Sequence, residues 1–147
     1  MDNILQGLAY IDFAIITCLL LFISWQDILL RVISNSSLIV LLCLIVPFIA
    51  IQQRVPNIVA ALTVIIVLFP LFIYNIMGGG DIKLMAVLSL SFSWHQVADF
   101  FFIIIFLGGV VGLVGIIFFR QSVRERGIPY GVPISLAFIL FNAVVFN

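Results

Sequence analysis

Long apolar runs, separated by short polar breaks, are the feature of this sequence that most restricts its fold. Hydrophobic residues make up 65% of the 147-residue chain and charged residues only 8%, whereas roughly a quarter of an ordinary soluble domain is charged. Crossing the apolar core of a bilayer, about 30 Å thick, takes about 20 helical residues. The runs therefore predict an integral membrane protein.

The positions of the apolar runs predict an all-α polytopic fold in one domain, 1–147. The sequence does not alternate polar and apolar residues over about ten-residue segments, as a membrane β-barrel does. The fourth run is short, and at about 1.5 Å per residue it reaches only part of the way across a bilayer. We predict about six transmembrane helices, at 4–25, 37–52, 58–74, 82–93, 97–119 and 132–146.

Basic residues are concentrated in alternate connections between these predicted spans. The first, third and fifth connections contain Arg31, Lys83, Arg120, Arg124 and Arg126, and the second and fourth contain only Arg54. Lys and Arg accumulate in the cytoplasmic loops of membrane proteins. The odd connections are therefore predicted to be cytoplasmic, with both chain termini on the outer side.

Charge balance and cysteine spacing argue against several classes of function. Six basic and six acidic side chains give a formal net charge of zero, so no basic field attracts nucleic acid. Cys18 and Cys43 lie in separate apolar runs, without the paired spacing of a zinc site or a disulfide framework, and are expected in the core. Phosphate-binding and dinucleotide-binding motifs are absent from the sequence. We expect no nucleic-acid partner, no metal and no cofactor.

Two aspartates, Asp27 and Asp81, fall at predicted cytoplasmic ends of membrane spans. Asp27 follows the first span and Asp81 precedes the fourth. If these spans are neighbours, the carboxyls approach closely, and mutual repulsion leaves one of them protonated. An ionised carboxylate can then activate water while its protonated partner polarises a peptide carbonyl. The pair favours an aspartic peptidase.

Three consecutive glycines, Gly78, Gly79 and Gly80, directly precede Asp81. Their missing side chains are expected to leave room for an extended substrate backbone and to permit positive φ before the fourth helix. Asp81 is then near a helix N-terminus, where the macrodipole favours its ionised form. Lys83 is interpreted as a local charge stabiliser, a ligand for lipid headgroups or an interfacial anchor.

Asp12 lies within the first predicted span and supports an alternative function. A charged carboxylate there costs roughly 2.5 to 3.5 kcal/mol on insertion scales, so Asp12 is expected to hydrogen-bond inside the bundle or to stay protonated. In a small transporter, or an assembly subunit of a secretion or pilus system, Asp12, Asp27 and Asp81 would form a proton or cation path. That alternative predicts acids spread through the membrane depth, whereas a peptidase requires a close pair at one face.

Three motifs resemble those of the type IV prepilin peptidases, membrane aspartyl peptidases with a G-x-G-D signature. Residues 78–84, G-G-G-D-I-K-L, resemble the family's G-x-G-D-[VI]-K-L element. Asp27, followed eight residues later by Asn35, resembles an aspartate and an I-P-N tripeptide, although Ser34 stands where the family has proline. Residues 129–131, P-Y-G, resemble an element before the last span.

The resemblance implies that Asp27 and Asp81 are the catalytic residues. The residues implied to support them or bind substrate are Gly78, Gly80, Lys83, Asn35, Pro129, Tyr130 and Gly131. The chain has no paired C-x-x-C motifs and therefore resembles the short members, which lack an N-methyltransferase region. Presenilin-like proteases share G-x-G-D but usually carry a P-A-L element, which this sequence lacks.

The resemblance also implies a substrate and a location. The expected partners are prepilins or pseudopilins, cut just before their hydrophobic helix, typically after a glycine, so that a short basic leader is removed. The expected location is the bacterial inner membrane, in contact with lipid, with the active site facing the cytoplasm. A homo-oligomer is compatible with these expectations.

Overall fold

The computed structural model describes residues 3–146, and within that range it contains seven α-helices and no strand. The all-α prediction is confirmed. Both chain termini were predicted to lie on the outer side of the membrane. The terminal residues themselves lie outside the described residues. The helices are α1 (Asn3–Leu30), α2 (Asn35–Ile51), α3 (Ile58–Ile73), α4 (Gly79–Ser89), α5 (Trp94–Phe118), α6 (Arg120–Arg126) and α7 (Gly131–Phe146).

Each predicted span coincides with one helix, and α6 is an additional helix in the last connection. Among the described residues, α1 and α5 are long and apolar enough to cross a membrane. The count rises to three if α6 and α7, which meet at a bend of 101°, are taken as one broken span. Helices α2 and α3 are apolar but shorter, so six crossings remain a prediction.

Helix α4 lies at the centre of the bundle, where it contacts α2, α3 and α7. Helix α1 packs on α2 and α7, whereas α5 packs mainly on α7 and α6. Phe92, just after α4, joins these layers, because its ring centroid lies 4.9 Å from that of Phe100 on α5 and 5.6 Å from that of Phe138 on α7. Leu84 and Leu88 of α4 are fully buried. The shortest of the predicted spans therefore forms much of the core.

Asn57 ties the start of α3 to the end of α4. Its side-chain oxygen accepts a hydrogen bond from the amide of Ala60 at 3.0 Å, which caps α3. Its backbone amide donates to the carbonyl of Leu90 at 2.9 Å, and its side-chain nitrogen to that of Phe92 at 3.1 Å. These bonds join the start of α3 to the end of α4, and the two helices form an antiparallel pair.

The prediction that both cysteines belong to the core is wrong. Cys18 and Cys43 are free thiols on the exposed surface of the bundle. In a membrane protein an apolar residue gains as much from facing lipid as from facing another helix. Apolar sequence context therefore could not tell the two environments apart.

Candidate active site

A cavity of about 330 Å³ lies where α1 ends and α4 begins. Asp27, in the last turn of α1, and Asp81, in the first turn of α4, both line it. Among the described residues, α1 and α4 make few or no direct contacts, and the acids line a space bordered by the connections that precede α4 and α7. The lining residues are Asp27, Arg31, Phe72, Asn75, Ile76, Met77, Gly78, Asp81, Arg126, Gly127, Ile128 and Tyr130.

Asp27 is held by the first residue of α7. Its carboxyl is buried, with the residue only 6% exposed, and its Oδ2 accepts a hydrogen bond from the backbone amide of Gly131 at 2.8 Å. A Cβ on Gly131 would lie 2.9 Å from that Oδ2 and 3.0 Å from the Cβ of Asp27. Glycine is therefore required here by a close approach between α1 and α7. Within the described residues, Oδ1 of Asp27 makes no hydrogen bond.

Ser24, one turn before Asp27, joins the same contact. Its hydroxyl donates to the carbonyl of Leu20 at 2.9 Å and lies 3.4 Å from the carbonyl oxygen of Gly131. Both polar groups of the Gly131 backbone thus meet side chains of α1. No motif in the sequence indicated this contact of Ser24.

Asp81 lies outside the two helices that are long and apolar enough to span a membrane, and its pKa is raised to about 7. Burial is the main cause, because it disfavours the charged form, and the negative charge of Asp27 adds to the rise. A backbone hydrogen bond from Gly78 and the charge of Arg31 act in the opposite direction. The helix N-terminus was expected to favour the ionised form, but burial outweighs that effect.

Arg31 belongs to the site, although the sequence suggested only a topological role for it. It directly follows α1 in a left-handed conformation, with φ of 55°, and its amide bonds to the carbonyl of Asp27 at 3.0 Å. Such a residue commonly ends a helix, but it is usually glycine or asparagine. The chain turns there, and Arg31 lines the cavity together with Arg126. Two cations therefore stand beside the two acids.

The glycines before Asp81 pack against the protein's own atoms, and the expectation of positive φ is wrong for them. Gly78 has φ of −69° and precedes α4, while Gly79 and Gly80 belong to the helix. A Cβ would lie 3.1 Å from Oδ2 of Asp81 at Gly78, and 3.0 Å from the Cβ of Ile33 at Gly80. The physical reason for these glycines is close packing around Asp81 and between α4 and the α1–α2 connection.

Lys83 and Asn35 connect two of the sequence motifs outside the cavity. The ammonium of Lys83 donates to Oδ1 of Asn35 at 3.2 Å on the exposed surface. Ser34 precedes Asn35 with φ of −72°, which lies within the range that proline imposes. Its hydroxyl accepts from the amide of Ser37 at 3.1 Å and caps α2. The serine therefore keeps the backbone conformation expected of the proline that it replaces.

The three residues of the P-Y-G motif, 129–131, differ in their contacts with the cavity and with Asp27. Tyr130 lines the cavity and Gly131 contacts Asp27, whereas Pro129 does not line it. The carbonyl of Pro129 instead accepts a hydrogen bond from the amide of Val132 at 3.3 Å, in the first turn of α7. Pro129 thus shapes the approach to α7.

Asp12 is separate from the cavity. It precedes Asp27 by fifteen residues on the same helix, which corresponds to about 22 Å along the axis. Its Oδ2 is buried, without a hydrogen-bond partner among the described residues. The acids therefore form a pair at one end of the bundle and a single group far from it.

Comparison with known protein families agrees with this arrangement. Residues 14–113, which are 100 of the 147 residues, match the type IV leader peptidase family. The chain belongs to that family. The matched segment contains Asp27 and Asp81, whereas Gly131 lies beyond it. No curated protein and no solved structure gives a significant match. Family membership implies a peptidase of the aspartic type, and together with the apolar helices it identifies a membrane protein.

Proposed function

We propose that this protein is an aspartic endopeptidase that removes the leader from prepilin-like precursors, with Asp27 and Asp81 as its catalytic residues. The observation that carries the proposal is that these two acids, remote in sequence, line one cavity. Membership of the leader peptidase family supports the reaction class. The basic residues Arg31 and Arg126 at the same end of the bundle support a cytoplasmic site in the bacterial inner membrane.

In the proposed reaction Asp27 is the ionised base. The amide of Gly131 holds Oδ2, so Oδ1 is the oxygen left to take a proton from water as the water attacks the scissile carbonyl carbon. The proton taken by Asp27 then passes to the leaving nitrogen as the C–N bond breaks. One amine and one carboxyl product result, and Asp27 returns to its ionised form.

Asp81 is the protonated partner. With a pKa of about 7, its carboxyl is about half protonated at neutral pH and more fully protonated below it, and the protonated form donates a hydrogen bond to the carbonyl oxygen of the substrate. Negative charge develops on that oxygen as water adds, so the hydrogen bond stabilises the transition state more than the ground state. Such a two-acid mechanism needs one proton on the pair, and the raised pKa of Asp81 provides it.

The test is cleavage of a co-expressed precursor by variants of each acid. Asp27→Asn and Asp81→Asn keep the side-chain shape but remove a group that must carry or release a proton. Each is expected to lower the cleavage rate by at least about 100-fold while the protein still inserts in membranes. The matched control is Asp99→Asn, which changes an exposed acid of α5 outside the cavity and should cleave normally. Full cleavage by either dyad variant would refute the assignment.

Asp12→Asn separates the peptidase from the alternative ion path. Because Asp12 lies about 22 Å from Asp27 along α1, the peptidase retains cleavage when Asp12 is neutralised. A transporter that uses all three acids would lose ion flux in each single variant and would process no precursor. Proton uptake by vesicles containing the purified protein, measured beside precursor cleavage, distinguishes these outcomes.

A further inference from the structure

An apolar groove of about 640 Å³ runs along α5 beside the candidate active site. Leu68 and Leu71 of α3 and Met85 of α4 line it opposite α5. On α5 the lining extends from Phe101 to Ile116, which corresponds to a length of about 22 Å. Within the described residues, α3 and α5 make few or no direct contacts, whereas α3 packs closely on α4 and α5 on α7. The groove is the gap between α3 and α5.

The groove adjoins the candidate active-site cavity. Met77, Ile128 and Tyr130 line both spaces. The groove is lined mainly by apolar residues, and the cavity contains the two acids. A chain bound in the groove as an apolar helix would therefore have its next residues beside the cavity.

The glycines of α5 differ in whether contacts within the protein account for them. Gly112 and Gly115 are explained by the protein itself, since a Cβ would lie 3.1 Å from Ile128 and 2.8 Å from Val123 respectively. Gly109 also lines the groove, but a Cβ there would have no atom within 4 Å. Glycine destabilises a helix interior by roughly 0.5 to 1 kcal/mol relative to alanine. No contact within the described chain accounts for it at Gly109.

We propose that this groove binds the apolar membrane-spanning helix of the precursor whose leader is cut. The inference rests on the proposed function, which supplies a substrate with a leader before such a helix. A helix is about 10 Å across, and small residues allow two membrane helices to approach closely. The shared lining of groove and cavity decides between occupants, because only a substrate helix has to end beside Asp27 and Asp81. A lipid acyl chain or a second copy of the protein has no such requirement.

The proposal is tested by a substitution that fills the groove with a larger side chain. Cleavage kinetics are then compared for two synthetic substrates. One has a short basic leader, a glycine at the junction and a 20-residue apolar helix, and the other has the same leader and junction followed by a short polar tail. Gly109→Leu is expected to raise KM for the first substrate about tenfold and to leave cleavage of the second unchanged. The matched control is Gly7→Leu, since Gly7 lies within α1 and is equally free of neighbours within 4 Å.

The kinetic outcomes separate the two proposals. If the wild-type protein cleaves neither substrate, the proposed function itself fails. If the wild type cleaves both and Gly109→Leu does so with unchanged KM values, the groove proposal is overturned while the peptidase stands. An equal loss on both substrates also overturns it, because it would reflect damage to the active site rather than to helix binding.

A crosslinking experiment identifies the occupant. The photo-reactive residue p-benzoylphenylalanine is placed at Ile105, which lines the groove, or at Phe106, which does not, in the Asp81→Asn background with the helix-bearing substrate. The two positions are 72% and 65% exposed on the same helix. Crosslinks to substrate at Ile105 and few at Phe106 support the proposal. Equal crosslinking at both positions, or only lipid or a second copy crosslinked at Ile105, overturns it.

Discussion

The polar cavity and the apolar groove share the lining residues Met77, Ile128 and Tyr130. They differ in the surroundings of the glycine associated with each. At the cavity, Gly131 touches Asp27, and its missing side chain is what allows that contact. In the groove, Gly109 has no neighbour within 4 Å of its potential Cβ. Under the two proposals, Gly131 allows the contact that positions a catalytic carboxyl, whereas Gly109 leaves room in the groove for the substrate helix. The first glycine should tolerate no side chain, and the second should tolerate a small one.

Substitution of Gly131 by alanine is expected to have the largest effect and tests this comparison directly. The new Cβ would lie within about 3 Å of the Cβ, Cγ and Oδ2 atoms of Asp27, so either α7 or the carboxyl must move. Small displacements of a reacting group can cost about 100-fold in rate. We expect a loss of that order in precursor cleavage, measured in membranes at matched protein levels.

Gly109→Ala is the control for Gly131→Ala. It adds the same methyl group to a helix in a place without neighbours, and alanine favours the helix. Near-normal cleavage is expected, in contrast to the leucine variant that fills the groove. Equal activity of Gly131→Ala and Gly109→Ala would remove the distinction between the two kinds of glycine.

Arg31→Gln is expected to have an intermediate effect, visible mainly in the pH dependence of cleavage. The positive charge of Arg31 lowers the pKa of Asp81, which burial and Asp27 raise to about 7. Without that charge the pKa of Asp81 rises further, so Asp81 keeps its proton to higher pH. The alkaline limb of the pH–rate profile, where the general acid is lost, should therefore move to higher pH.

Arg126→Gln is the comparison for that profile. Arg126 also lines the cavity, but its charge is not among the main influences on the pKa of Asp81. The alkaline limb of the pH–rate profile of Arg126→Gln should therefore remain closer to that of the wild type. An alkaline limb that stays in place or moves to lower pH in Arg31→Gln would contradict the proposed role of Asp81 as the acid.

Lys83→Ala is expected to have the smallest effect, because it alters neither the cavity nor the groove. The hydrogen bond from Lys83 to Asn35 is exposed, and a typical hydrogen bond contributes about 0.5 to 1.5 kcal/mol to stability. We expect cleavage to fall less than about threefold, with a modest drop in thermal stability. The double variant with Asn35→Ala should be no worse than the single ones. A loss as large as that of Asp81→Asn would place Lys83 in the catalytic machinery.

The positions of the helices could be predicted from the sequence because a helix that crosses a bilayer needs an apolar run of about 20 residues. Each apolar run therefore marks the place of one helix. The exception is α6, whose seven residues include three arginines and one glutamate. Such a segment reads as a polar loop, and its helical form depends on packing against α5, where Gly115 makes room for Val123. A contact between residues that lie on different helices leaves no periodic pattern to detect.

The acids of the candidate site could also be proposed from sequence, since Asp27 and Asp81 are two carboxyls at predicted ends of spans on the same side. The residues that surround these two acids could not be predicted from the sequence. Arg31 enters the cavity because the chain turns left-handed after α1, and Gly80 is required by Ile33 rather than by positive φ. Both features depend on which elements meet in three dimensions. Ser34 shows the converse, because a departure from the family motif preserves the local backbone through a side-chain cap.

The hydrogen bond from Gly131 to Asp27 joins residues that are 104 positions apart. Ribosomes synthesise chains from the N-terminus, so Asp27 is made well before Gly131. The carboxyl gains its amide partner only after the start of α7 has been synthesised. The order of synthesis therefore delays assembly of this site until residue 131 has been made, and a chain that stops before residue 131 lacks the amide that bonds to Asp27.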